Sequence, residues 1–387
     1  MPSSLLLFMT TDIHDRLRSS FMFNASLGSQ ELFHSNIWKW LVEQDQSFAA
    51  VFFDGIGKVK VAREEKNRDL TFWSGKEMRI IENKLKSLPR REQILEYEEK
   101  AGKAFRGGVL TGILRPAWMD GEDVSGWKFM PYSEISWKIK AAAAASKKLS
   151  KLQKKLVSDY CQMLDDIDFL LQDFLSSHQK KLATTEECQA LQDVRLADIA
   201  CKLSAEQFIE WLRLQPEIQK IKAKTEKLGL KFFLNAGFAK KHSTIDVRLI
   251  HDSKPMVKIQ SDYTVSSPWL YGVQIEDISY ARFVQVNDCM KKADGSRWTS
   301  DQLFEEFSRL GWLPSKDKLA NPLKARVQYG RYAVDGKYQF VYQPDLAVDM
   351  SYEGLKKRII YDMEAACKFG KEVDIDGVLS GSSQKGA

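Results

Sequence analysis

The sequence predicts an α/β fold with a helical middle segment and a β-rich C-terminal part. Three observations carry that prediction. Helical spacing and strand-like runs alternate over about the first 140 residues, the pattern is almost continuously helical from Tyr132 to about Gln219, and extended segments dominate after Gly229.

From Ser29, a plausible N-cap with Glu31 in the first turn, Leu32, Phe33, Ile37, Trp40 and Leu41 recur at three- and four-residue steps, which predicts an amphipathic helix. Val51 to Glu65 reads as extended structure around a Gly55-Ile56-Gly57 turn. Arg68 to Lys86 reads as a β-hairpin with Gly75 and Lys76 at the centre of its turn, glycine coming first as a type II′ turn prefers. Pro89 opens a helix to about Lys103, Val109 to Leu114 is a short apolar strand, and Tyr132 to Ala145 is helical. Lys147 to Ser177 continues with a stripe of Leu149, Leu152, Leu156, Tyr160 and Met163. Strands are expected at 230–235, 245–251, 256–265, 270–275 and 324–343, with helices near 299–310 and 352–368 and a disordered tail from Gly377. Four regions follow: 1–140, 141–225, 226–376 and 377–387.

A chain of 387 residues with 44% hydrophobic and 28% charged residues has the balance of a soluble globular protein. The run Leu5 to Met9 is too short for an export signal or a membrane span, so the expectation is a cytoplasmic protein without a membrane partner. Five dispersed cysteines without a CxxC spacing argue against zinc or a disulfide framework and read as buried small hydrophobes. A net charge of +6 permits an acidic partner without demanding one.

The chemistry concentrates in Arg63 to Tyr97. With Gly75 and Lys76 central, facing positions sum to 151, which sets Trp73 against Met78, Thr71 against Ile80 and Asp69 against Glu82. Alternation brings Lys84 out on the face of Glu82 and sends Leu70, Phe72, Ile81 and Leu85 to the other. Two opposed carboxylates are destabilising unless a cation compensates them. A hard divalent ion suits that role, because Mg²⁺ is often held by only one or two carboxylates. Such an ion polarises a phosphoryl oxygen and acidifies a bound water, and a lysine alongside can orient that water.

Asp69 with Ile81-Glu82-Asn83-Lys84 resembles the D…(D/E)xK signature of the PD-(D/E)XK nuclease superfamily, the restriction-endonuclease-like fold. Ser29 to Ser35 resembles the N-terminal helix of one branch, Arg63-Glu64 its acidic strand, Gln93-Ile94-Leu95-Glu96-Tyr97 its QLxxY helix, and the segments around Val109–Leu114, Trp127 and Pro131–Ile135 its following strand and helix. The resemblance spans about residues 25 to 140. Arg68 stands where the family has a proline.

The resemblance implies a mixed central sheet flanked by helices and a nuclease dependent on Mg²⁺ or Mn²⁺, acting on nucleic acid, with DNA favoured over RNA and the choice between them left open by the sequence. Asp69 and Glu82 would ligate the metal by their side chains and Asn83 by its carbonyl, and Lys84 would orient the attacking water. Gln93 would hold the metal shell or a phosphate, with Glu64 and Glu31 as weaker acidic members. Bacterial and phage relatives often serve defence or genome conflict.

Glu64–Lys66 and Glu98–Lys100 also spell ExK, but only Glu82–Lys84 ends an apolar strand facing a second acid. The competing account is a solvated hairpin face in which Lys84 neutralises both acids, and a non-catalytic nucleic-acid-binding or partner-binding protein on the same fold is the functional alternative. Which of Glu64 and Glu65 faces the site stays open, and Gln93 and Tyr97 could simply cap and pack their helix. His34 reads as a packed histidine, and Asp374 to Gly377 as a polar tail rather than a calcium loop. The lysine clusters 147–155 and 220–231 suit solvated faces or phosphate contact, and Trp269, Trp298 and Trp312 suit core packing or base stacking. The helical and C-terminal regions are the expected place for a homo-oligomer or protein partner.

Overall fold

A computed structural model describes residues 12–27, 30–65, 68–85, 87–88, 91–120, 126–239, 242–251, 257–259, 263–265, 269–277, 279–287, 295–296, 298–313, 326–329, 337–345, 349–373 and 375. Ser29, Pro89, Lys86, Cys289, Asp374 and the segment from Gly377 lie outside the described residues. The chain divides into two compact units, residues 1–179 with 186–207, and residues 180–185 with 208–387.

The first unit is mixed α/β around a five-stranded sheet, β1 (Lys60–Glu65), β2 (Arg68–Ser74), β3 (Glu77–Lys84), β4 (Phe105–Gly112) and β5 (Trp127–Pro131), in that spatial order. β1, β2 and β3 run antiparallel, whereas β3, β4 and β5 are parallel. Connection length sets this difference. A two-residue turn with Gly75 at φ +60° reverses the chain between β2 and β3, while α2 (Arg91–Ala101) provides the crossover that a parallel neighbour needs.

Alternation gives the sheet two packed faces. Leu70, Phe72 and Ile81 are buried, and the Phe72 ring lies 6.0 Å from Phe52 and 5.4 Å from Phe53. Trp38 of α1 (Gln30–Gln44) is 5.4 Å from Phe52 and 6.3 Å from Tyr132, which opens α3 (Tyr132–Ala145). On the opposite face Met78, Ile80 and Leu110 form one cluster with Ile94 and Tyr97 of α2. α4 (Lys151–Ser177) starts at a capping box on Ser150 and packs along α3.

Several expectations are corrected here. Of the expected extended stretch Val51 to Glu65 only Lys60–Glu65 is a strand, and Val51 instead ends a 3₁₀ helix, Gln46–Val51, capped by Asp45. The inner face of α1 is Trp38, Leu41 and Val42, with Leu32, Phe33, Ile37 and Trp40 only half-buried. On α4, Leu152 is 68% exposed, and Val157, Tyr160, Cys161, Met163, Leu164 and Leu171 are buried.

The cysteine expectation also fails in part. Cys161 and Cys367 are buried free thiols, but Cys188 and Cys201 form a disulfide across a separation of 13 residues, their Cα atoms 5.8 Å apart. Folding α5 (Ala197–Arg213) back on the preceding turn brings together two residues whose spacing matches no motif. Closing a loop of this size removes chain entropy from the unfolded state, so Cys188→Ser should lower stability by about 2–3 kcal/mol, read from melts with and without reductant.

Asp45 ties the 3₁₀ helix to the end of α3. Its Oδ1 accepts from the Ser47 amide at 3.1 Å and its Oδ2 from the Ser146 hydroxyl at 2.6 Å. The Ser146 hydroxyl, with the Ser47 bonds and Lys148 assisting against burial, holds the Asp45 carboxyl down at about 2. A depressed carboxyl stabilises the fold above its unfolded pKa and loses that contribution as pH falls through the folded value. Ser146→Ala should therefore cost about 1 kcal/mol at pH 7, with the difference in melting temperature closing between pH 4 and pH 2.

In the second unit, α6 (Pro216–Lys227) precedes six strands in the order β12-β13-β11-β10-β7-β6, all antiparallel: β6 (Leu230–Ala239), β7 (His242–His251), β10 (Trp269–Glu276), β11 (Ser279–Asn287), β12 (Arg326–Tyr329) and β13 (Lys337–Asp345). The expected strand 256–265 is instead two short strands, β8 (Val257–Ile259) and β9 (Tyr263–Val265), paired with each other. A helix α7 (Ser300–Arg309) and a last helix α8 (Tyr352–Glu372) complete the unit. Buried Asp362 of α8 accepts from the Tyr280 hydroxyl at 2.8 Å and from Arg282 Nε and Arg358 Nε at 3.0 Å, fastening α8 to β11. Trp269 and Trp312 are core residues at 3% and 1% exposure, too enclosed to stack on bases, while Trp298 is half-buried. Among the described residues no helix is long and apolar enough to cross a membrane.

Candidate active site

The end of β3 carries the site. The hairpin follows the sum of 151 from Ser74↔Glu77 to Leu70↔Ile81 and stops there, so the expected backbone pairing of Asp69 with Glu82 does not form. Asp69 Oδ2 instead accepts the Asn83 amide proton at 2.7 Å. The side chain takes the place of a ladder bond, and the two carboxylates still share one site. Lys84 Nζ lies 2.8 Å from Glu82 Oε1, with side-chain exposures of 20% and 2%. Gln93, on the first turn of α2, donates from Nε2 to Glu82 Oε1 and to the Tyr97 hydroxyl, both at 2.7 Å.

The electrostatics follow from crowding like charges in a dry place. Burial, then the Glu82 charge, push the Asp69 carboxyl up to about 7 against the opposing Asn83 amide and Lys84. Glu82 is also raised, by burial, despite Lys84 and the hydrogen bonds of Tyr97 and Gln93. Burial works against the Lys84 charge, yet Glu82 and Asp69 hold it above the ordinary lysine range. Tyr97 is pushed up to about 12 by burial and by Glu82. Glu82 Oε2 is buried with no hydrogen-bond partner among the described residues. A carboxylate oxygen in that condition is costly unless a cation or a proton meets it.

Glu31 reaches the same end of β3 from α1. Its carboxylate Oε1 accepts the Leu85 amide at 2.9 Å, and its main-chain carbonyl accepts from Asn83 Nδ2 at 2.7 Å. It anchors the strand on both sides of Lys84. Gly112 pairs with Lys84 in register, and a Cβ there would sit 2.5 Å from the Lys84 carbonyl oxygen, so only glycine lets β4 approach this closely.

Glu64 is not gathered in. It stands at φ +52°, exposed, with Arg63 Nη2 3.3 Å from its carboxylate. The adjacent Glu65 accepts from Trp73 Nε1 at 3.0 Å. The left-handed residue at 64 thus breaks the strand alternation and turns Glu65, not Glu64, toward the face of Trp73. Arg68, in the place of the family's proline, is 2% exposed, donates from Nη1 to Met78 Sδ at 3.3 Å and has Cζ 5.9 Å from the Tyr97 ring. His34 is packed as expected, its Nδ1 3.1 Å from the Tyr160 hydroxyl, and burial lowers its pKa to about 3.

Asp69, Glu82, Asn83, Lys84, Gln93 and Glu31 are therefore brought together, and Glu64 is not. The sequence reading missed Tyr132, whose hydroxyl donates to Asn83 Oδ1 from 49 residues away, a contact with no local signal. Among the described residues no group of three or more His, Cys, Asp or Glu side chains is arranged to hold a metal ion. In comparisons with known proteins, the chain matches no protein-family model, no curated protein and no solved structure.

Proposed function

We propose that this protein is a divalent-metal-dependent nuclease on a restriction-endonuclease-like fold, hydrolysing phosphodiester bonds, with DNA as the substrate. One observation carries the reading: buried Glu82 and half-buried Asp69 share the end of β3 with Lys84, and one Glu82 oxygen has no hydrogen-bond partner among the described residues. That donor set fits a hard cation, since a hydrated Mg²⁺ or Mn²⁺ needs few protein oxygens and would compensate both raised carboxylates.

Asp69 and Glu82 would hold the ion through their side chains and Asn83 through its carbonyl. When bound, the ion supplies Lewis acidity to a phosphoryl oxygen and lowers the pKa of a bound water. Gln93 fixes the Glu82 rotamer by donating to Oε1. Lys84 orients the attacking water and offsets negative charge growing on the phosphate as the new P–O bond forms and the leaving oxygen departs. Glu31, its carboxylate committed to the Leu85 amide, serves as an anchor.

A second reading is a nucleic-acid-binding protein that does not cleave, favoured by the observation that among the described residues no three His, Cys, Asp or Glu side chains are arranged to hold a metal ion. Incubation with linear, circular and single-stranded DNA and with RNA, in Mg²⁺, Mn²⁺ or EDTA, separates the two, alongside calorimetric titration of Mn²⁺. The nuclease reading expects cleavage of DNA that EDTA abolishes, and Mn²⁺ binding that Asp69→Asn removes. Salt-sensitive DNA binding with neither cleavage nor Mn²⁺ binding would establish the alternative.

A further inference from the structure

Asn83, the middle residue of Glu82-Asn83-Lys84, is fully buried, although a strand residue between two site residues has no local need to be polar. Three hydrogen bonds join it to three different elements. The main-chain amide donates to Asp69 Oδ2 of β2 at 2.7 Å, Nδ2 donates to the Glu31 carbonyl of α1 at 2.7 Å, and Oδ1 accepts from the Tyr132 hydroxyl of α3. Tyr132 is itself held, 1% exposed, with its ring 5.3 Å from His34 and 6.3 Å from Trp38.

We infer that Tyr132 is a positioning residue for the site: through Asn83 it fixes the backbone between Glu82 and Lys84, so that Asp69, Glu82 and the Asn83 carbonyl converge on one point. An amide side chain clamped at both ends cannot rotate, and the peptide it carries cannot rotate either. β4 holds the strand end on one side through Lys84↔Gly112, but on the other side the β2 ladder stops at Leu70↔Ile81 and the Asn83 contacts take its place. Outer partners that orient metal ligands are worth about 10–100-fold in metal affinity when removed. The part of this inference that concerns metal rests on the function proposed above, and the clamp itself does not.

The test is Tyr132→Phe, which deletes one hydroxyl and keeps the ring, with Tyr160→Phe as the control. Tyr160 also has a buried hydroxyl, bonded to His34 and not to Asn83. Hydrogen exchange is followed by mass spectrometry, and Mn²⁺ affinity by calorimetry, on the full chain. Tyr132→Phe is expected to speed exchange of the Asn83 to Leu85 amides about tenfold, leaving the β10–β11 amides unchanged, and to weaken Mn²⁺ binding about tenfold. Tyr160→Phe should do neither. If Tyr132→Phe does not fold, Asn83→Leu, which removes the acceptor and keeps the volume, carries the same expectation. Exchange at 83–85 no faster in Tyr132→Phe than in Tyr160→Phe would overturn the inference. Selective exchange in a protein that binds no Mn²⁺ would uphold the clamp and overturn the metal-site reading.

Discussion

Lys84→Ala is expected to lower metal-dependent DNA cleavage by about 10²–10³-fold, the usual loss when one group aimed at developing transition-state charge is removed. The substitution also strips the counter-ion from Glu82, which is 1% exposed. Breaking a buried pair from one side costs about 3–5 kcal/mol when the remaining charge must stay. Glu82 has a way out, because its carboxyl is already raised by burial and takes up a proton once the ammonium is gone. The stability loss should therefore be large at pH 8 and small at pH 5, and single-turnover cleavage must be measured where circular dichroism confirms folding. Wild-type cleavage rates in folded Lys84→Ala would remove Lys84, and with it this assignment of the site.

Asp69→Asn should abolish Mn²⁺ binding and cleavage and, in the metal-free protein, raise stability. The sign follows from the direction of the shift. A carboxyl at about 7 in the folded state, against an ordinary 3.8, costs nothing below the unfolded pKa. Its penalty grows as pH rises from about 4 and is complete above about 7. With partial solvent access and the neighbouring Glu82 charge sharing the effect, the penalty is on the order of 2 kcal/mol. In EDTA, denaturant titrations should show Asp69→Asn more stable than wild type at pH 8 and equal to it at pH 4. Saturating Mg²⁺ should reverse the order at pH 8, since only the wild type gains from ligand binding. Equal stabilities at both pH values without metal would show that the two acids are not electrostatically crowded.

The hairpin was the most legible part of the chain because its determinants are local. A glycine suited to φ +60° at position 75 set the register, and period-two alternation then put Leu70, Phe72 and Ile81 on one side and Glu82 with Lys84 on the other. The QxxxY spacing likewise placed Gln93 and Tyr97 one helical turn apart on α2, both at Glu82. Where alternation was interrupted the reading failed. Glu64, a weaker acidic member by resemblance, stands exposed at φ +52° beside Arg63, and the Asp69 carboxylate replaced a ladder bond that the sum rule extended one pair too far.

Residues close in sequence and bound to a fixed period thus determined the turn, the strand faces, the helices and the grouping of an aspartate, a glutamate and a lysine. Tertiary structure alone decided that Glu31 grips the backbone beside Lys84, that Tyr132 holds Asn83, and that Cys188 meets Cys201. The Glu31 and Tyr132 contacts bridge about 50 residues, and none of the three follows any periodicity. The first two depend on which helix packs over which strand end and the third on how two helical segments meet, choices made by the burial of whole faces rather than by any local preference.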